Sequence, residues 1–174
     1  QRIFIRRRVY GIFTVRNAAE NKSFKEKLHR VFHQYGFEDI ETPTFEYFEV
    51  FSKEVGTIPS RELYKFFDRE GNTLVLRPDF TPSVSRACAT YFNPEKEVVS
   101  LCYTGNTFIN NSSFRGRLKE TTQMGVERMG DDSPEADAEI LAMTVECLLA
   151  TGLTEFQVSV GQVDYYKAIL PRQA

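Results

Sequence analysis

The sequence predicts an α+β fold: a mostly antiparallel sheet flanked by helices. Three observations carry this. Two long strand-like segments, "EVVSLCYTGNTFI" and "LKETTQMGVERMG", follow one another across a polar loop, which suits antiparallel pairing. Helical patterns are grouped around these strands and do not alternate with them one for one, as a doubly wound parallel sheet requires. Of the 174 residues, 41% are hydrophobic, enough for the packed core of one domain or of a piece of a larger one.

Asn17 to Tyr35 reads as an amphipathic helix. Phe24, Leu28, Val31, Phe32 and Tyr35 recur at helical spacing, and Gly36 supplies a left-handed C-terminal cap. "FEDIETPTFE" is a short extended segment halted by Pro43, and "EYFEVFSKEV" gives one or two more helical turns. "ELYKFFDREGNTLVLRPDF" predicts a hairpin turning at Gly71 and Asn72. "TPSVSRACATYF" starts a helix, with Thr81 as its cap and Pro82 in its first turn.

The two long strands come next. "SPEADAEILAMTVECLLATG" is a helix capped by Ser133, with acidic residues at its positive end and Gly152 closing it. "TEFQVSVGQV" predicts a last strand, with Phe156, Val158 and Val160 on one face. A sheet ending there would expose an edge, so the expectation is a fragment of a longer chain.

Charged residues make up 26% of the chain and the formal net charge is −2. That balance gives no general pull toward nucleic acid, and no nucleic-acid partner is expected. The basic run Arg6 to Arg8, beside Arg2, reads as a solvated edge, or else as a phosphate or partner contact. Cys88, Cys102 and Cys147 are scattered without a CxxC spacing, which fits reduced thiols in a cytoplasm. No apolar run reaches the roughly 20 residues of a membrane helix, and no secretory h-region opens the sequence.

Period-two geometry puts Gln123, Gly125 and Glu127 on one strand face, and Met124 and Val126 on the other. Gly125 leaves room for something to lie over the backbone, and a carboxylate buried there needs a partner. The face is either the floor of a pocket for a cationic ligand or simply wet. In "LRPDFTP", Asp79 and Thr81 could grip an ammonium group, or Arg77 and Asp79 could form a structural pair beside an ordinary helix cap.

His29 and His33 stand four apart on the first helix. That spacing can hold a metal, but the zinc-protease motif needs Glu after the first histidine, and Arg30 stands there. The chain has no further histidine, so surface histidines are expected and a metal site is not. "DDSPEADAE" lacks EF-hand spacing and reads as an acidic helix start. Gly105, Gly116 and Gly125 form no phosphate-loop pattern. No cofactor is expected.

"YGFEDIETPTFE", "LRPDFTPSVSRA", "GRLKETTQMGVERMG" and "EADAEILAM" resemble, in that order, the catalytic core of class II histidyl-tRNA synthetases. They resemble still more the synthetase-like regulatory subunit of ATP phosphoribosyltransferase. The resemblance runs from about Gly11 to the last strand. It implies a class II synthetase-like sheet, with residues 1–174 as the N-terminal part of the core domain.

It also implies a ligand pocket. Asp79 and Thr81 correspond to the carboxylate–threonine pair that receives an α-amino group, and Gln123 and Glu127 to the residues that reach histidine and its imidazole. The synthetases usually have Glu-Gly where this chain has Asp79-Phe80, and Phe80 narrows the pocket. Their motif 2 arginine, which grips the α-phosphate of ATP, falls on Ile109, and their adenine-reading glutamate falls on Asn111. Arg117 and Lys119 remain in that loop, and Arg117 is the candidate anion contact. An aliphatic side chain cannot stabilise developing phosphoryl charge.

The resemblance therefore implies a non-catalytic regulatory subunit, needed by the short-form ATP phosphoribosyltransferase catalytic subunit in the first step of histidine biosynthesis. Histidine would be its feedback effector, and it would pair with itself through the helix at about Asn17 to Gly36. The alternatives are a histidyl-tRNA synthetase fragment or divergent paralogue, and a synthetase-like ligase using another amino acid.

Overall fold

The computed structural model describes residues 5–6, 15–52, 58–111 and 118–161. A four-stranded sheet runs β1–β7–β6–β2, formed by Ile5–Arg6 (β1), Glu38–Asp39 (β2), Val99–Phe108 (β6) and Glu120–Met129 (β7). Phe45–Tyr47 (β3), Lys65–Phe67 (β4) and Thr73–Leu76 (β5) form a second sheet, ordered β3–β5–β4. The helices are Val15–Gln34 (α1), Phe48–Ser52 (α2), Thr81–Tyr91 (α3) and Pro134–Ala150 (α4).

The predicted α+β architecture holds. β6 and β7 pair antiparallel from Val99↔Met129 to Phe108↔Glu120. β2 adds to β6 in parallel, with Asp39 opposite Cys102.

The central hairpin is covered on both faces. On one, Leu28, Val31 and Phe32 of α1 and Ile140, Met143 and Cys147 of α4 close over Cys102, Met124 and Val126. On the other, Val84 and Cys88 of α3 join Phe80 against Val99, Leu101 and Tyr103. Most of the stability of a helix such as α1 comes from packing of its apolar face. Each large side chain it buries contributes about 1.5–3 kcal/mol, so packing holds it.

Gly36, at φ +76°, ends α1 as expected. Gly36 N–H donates to His33 O and Phe37 N–H to Phe32 O, the paired bonds of a left-handed cap. The turn buries Phe37 and sends β2 alongside β6. In α4, Ser133 Oγ accepts from Ala136 N–H at 3.2 Å, the predicted cap. The hairpin turn between β4 and β5 has an organiser not foreseen: Asp68 accepts from the N–H groups of Glu70 and Asn72 and from the Asn72 side-chain amide.

Two expectations are corrected. Thr81 does not cap α3: Phe80 holds the cap position without a side-chain bond, because the Thr81 hydroxyl is directed elsewhere, as described below. The expected last strand is also absent among the described residues. Residues 154–161 form no ladder, and Phe156, Val158 and Val160 are exposed. Alternation signals a segment that fits a pleated surface, but a strand also needs a neighbour to bond, and none lies beside this one among the described residues. Ile5–Arg6 of the basic N-terminal stretch pairs with β7, while Arg2, Arg7 and Arg8 lie outside the described residues.

Candidate functional site

The β6–β7 register assembles the site. It sets Gly105 opposite Gln123, Tyr103 opposite Gly125 and Leu101 opposite Glu127. Gln123, Gly125 and Glu127 thus share a face with Tyr103, as alternation requires. Asp79 follows β5, and Thr81 opens α3. The fold brings together all four residues expected to line a ligand pocket.

They meet around the Tyr103 hydroxyl. Thr81 Oγ1 donates to Glu127 Oε1 at 2.5 Å. Gln123 Nε2 lies 3.5 Å from both Tyr103 Oη and Asp79 Oδ1. Tyr103 Oη lies 3.5 Å from Glu127 Oε1. The last three contacts are at the outer limit of hydrogen bonding, whereas the Thr81–Glu127 bond is short and charge-assisted. Asp79 Oδ1 also accepts from Phe80 N–H at 2.8 Å. Gln123 and Thr81 are buried.

Burial first, and then the charges of Glu127 and Asp79, push the Tyr103 phenol far above its ordinary value of 10.0. It stays protonated and passes a hydrogen bond from Gln123 toward Glu127. Thr81, Tyr103 and Gln123 are neutral groups that orient the two acidic side chains.

The room expected over Gly125 is taken by a neighbouring side chain. A Cβ on Gly125 would stand 2.4 Å from Tyr103 Oη and 2.6 Å from its Cζ. Glycine there admits the tyrosine ring. Phe80 stacks on that ring with centroids 4.3 Å apart and planes 8° from parallel. Tyr103 was missed by the sequence reading because its pairing with Gly125 depends on the hairpin register across a long loop.

Arg77 was also underrated. Its guanidinium donates to the carbonyls of Asn106 at 2.8 Å, Thr42 at 2.8 Å and Pro43 at 3.3 Å, and lies over the Phe80 ring at 4.1 Å. Burial lowers its pKa from the usual guanidinium range. Its backbone accepts from Phe108 N–H and donates to Thr44 O, joining the two sheets. Arg77 is thus a structural hub whose charge is directed at backbone carbonyls.

Beyond β6, Ile109 N–H donates to Lys119 O at 2.9 Å and Asn110 N–H to Glu62 O at 2.8 Å. Asn111 Nδ2 donates to Leu118 O at 3.2 Å. Lys119 Nζ lies 6.0 Å from the Tyr64 ring centroid. Arg117, the candidate anion contact, lies outside the described residues.

The family model described as Histidyl-tRNA synthetase matches residues 13–174. The chain belongs to the histidyl-tRNA synthetase family. Within that family its curated relatives include the ATP phosphoribosyltransferase regulatory subunits of Ruminiclostridium cellulolyticum, 42% identical over 150 residues, and Acetivibrio thermocellus, 40% identical over 149 residues. Each alignment covers 86% of this chain and 36% of the relative, so the chain spans a little over a third of their length.

Among solved structures, a Bacillus halodurans ATP phosphoribosyltransferase regulatory subunit/histidyl-tRNA synthetase superposes with a TM-score of 0.78 at 31% identity. That match covers 94% of this chain and 42% of the other. Apo histidyl-tRNA synthetase from S. aureus gives a TM-score of 0.65 at 25% identity, covering 83% and 34%. The fold is therefore class II synthetase-like. In this histidyl-tRNA synthetase-family chain, the two positions assigned above to ATP recognition carry Ile109 and Asn111, and the described bond of the Asn111 side chain goes to its own hairpin.

Proposed function

We propose that this chain is part of a non-catalytic regulatory subunit of ATP phosphoribosyltransferase, in which a synthetase-like pocket for histidine survives beside a disabled ATP site. The observation that carries the reading is Ile109. It stands where the resemblance places a phosphate-gripping arginine, and its backbone continues the hairpin into Lys119. The nearby Arg77 guanidinium is committed to three backbone carbonyls. The names carried by the relatives support the same reading.

On this reading the protein acts in the cytoplasm with the short-form catalytic subunit, which joins ATP to phosphoribosyl pyrophosphate, and pairs with itself through α1. Histidine, held by Asp79, Thr81, Gln123 and Glu127, favours an inhibited state of the complex. Such control requires histidine to bind two states with unequal affinity. Because Tyr103 covers Gly125, the amine and imidazole must approach from the Asp79–Thr81 side or displace the ring.

Calorimetry on the full-length protein tests the pocket: histidine should bind, and magnesium-ATP should not. Binding of magnesium-ATP would overturn the reading. The polar cluster and the matched family model favour a second reading, a histidyl-tRNA synthetase paralogue. Histidine-dependent exchange of pyrophosphate into ATP would establish that one instead.

A further inference from the structure

On the opposite face of the hairpin the fold gathers a second group of side chains. His29 and His33 point the same way from α1, with ring centroids 4.2 Å apart. His29 Nε2 lies 2.5 Å from Asp39 Oδ1, and His33 Nε2 lies 2.9 Å from Asp39 Oδ2. Cys102 Sγ stands 3.6 Å from Asp39 Oδ1. The four ligand atoms all lie within 4.8 Å of one another. The histidine spacing was visible in the sequence. Asp39 and Cys102 were not, because a two-residue parallel pairing of β2 with β6 puts them side by side.

We propose that His29, His33, Asp39 and Cys102 form a binding site for a borderline-soft divalent cation, zinc above all. Two imidazoles, a carboxylate and a thiolate make a donor set suited to tetrahedral zinc. Bonds of about 2.0–2.3 Å would set neighbouring ligand atoms roughly 3.3–3.8 Å apart, so the two imidazole–Asp39 contacts of 2.5 and 2.9 Å must open and the widest separation, within 4.8 Å, must close by up to about an ångström. Asp39 is half exposed, with 52% of its side chain accessible, and can rotate aside to admit the ion. Cys102 is fully buried behind it.

Binding exchanges the Cys102 thiol proton for the metal, as coordination does for any cysteine ligand. The ion then joins α1, β2 and β6 at one point, and a ligand that binds the folded state alone raises its stability. Without a metal, the same groups are a carboxylate bridging two imidazoles above a thiol.

Cobalt titration of the full-length protein decides between these. The site predicts one cobalt per chain, with tetrahedral d–d bands and a thiolate-to-cobalt charge-transfer absorption, both displaced by zinc. Cys102→Ser should abolish the charge-transfer absorption. The exposed change His33→Ala should weaken binding by about tenfold or more and remove the zinc-dependent rise in melting temperature. Cys147→Ser should alter neither. Absence of the charge-transfer absorption, its survival in Cys102→Ser, or unchanged affinity in His33→Ala would overturn the proposal.

Discussion

The Tyr103 hydroxyl occupies the place beside Gly125 where a side chain would begin, 2.4 Å from a Cβ built there. The two residues are directly paired in the β6–β7 ladder. The room that the sequence assigns to something lying over Gly125 is, in the fold, room for an aromatic ring.

Gly125→Ala should therefore destabilise the protein by about 1–3 kcal/mol, as forced overpacking does. Urea unfolding measures it. Tyr103→Phe should not rescue the variant, because the ring's Cζ still lies 2.6 Å from the new methyl. Full rescue by Tyr103→Phe would show that the hydroxyl alone sets the constraint.

Thr81 and Glu127 tie the start of α3 to β7 through the 2.5 Å bond. Thr81→Val keeps the shape and removes the donor. A hydrogen bond to a charged group contributes about 1.5–3 kcal/mol, and denaturant midpoints should show a loss of that order. Thr81→Ser should stay close to the parent. A loss in Thr81→Ser with none in Thr81→Val would mean that packing of the methyl group, and not the bond, matters.

The three cysteines are free thiols and buried. Burial pushes Cys147 up to about 12, with the charge of Glu146 adding to it, and also raises Cys88. At pH 8 a thiol of pKa near 12 is thiolate in roughly one molecule in ten thousand, and thiolate is the reactive form. A thiol-specific dye should label neither cysteine until the protein unfolds. Fast labelling of Cys147 in the native state would contradict the packing of α4.

Asp68 is stabilised as a carboxylate by the Asn72 side chain first, and then by backbone N–H groups, so its pKa falls below 3.8. A depressed carboxyl contributes stability above its unfolded value and loses it as pH falls through the folded one. The stability gap between the parent and Asp68→Asn should therefore be constant near neutrality and shrink below about pH 4. A gap that widened toward acid would reverse the sign.

Much of this was legible in the sequence because local physics fixed it. α1, α4 and the β6–β7 hairpin announce themselves through apolar periodicity, the Ser133 cap and the Gly36 turn. The alternation of Gln123 and Glu127 with Met124 and Val126 placed the polar face correctly. What escaped depends on long-range register. Tyr103 meets Gly125 across a hairpin, Arg77 reaches Thr42 and Asn106 from far along the chain, and Asp39 meets Cys102 through the pairing of β2 with β6. The strand expected at Thr154 to Val163 is absent among the described residues for the same reason in reverse: its pattern is local, but a ladder needs a partner.

The most direct test of the regulatory reading is reconstitution. Purified short-form catalytic subunit should condense ATP with phosphoribosyl pyrophosphate slowly alone and much faster with the full-length protein added, and histidine should reverse the gain. No activation, together with histidine-dependent pyrophosphate exchange by the protein itself, would contradict the account.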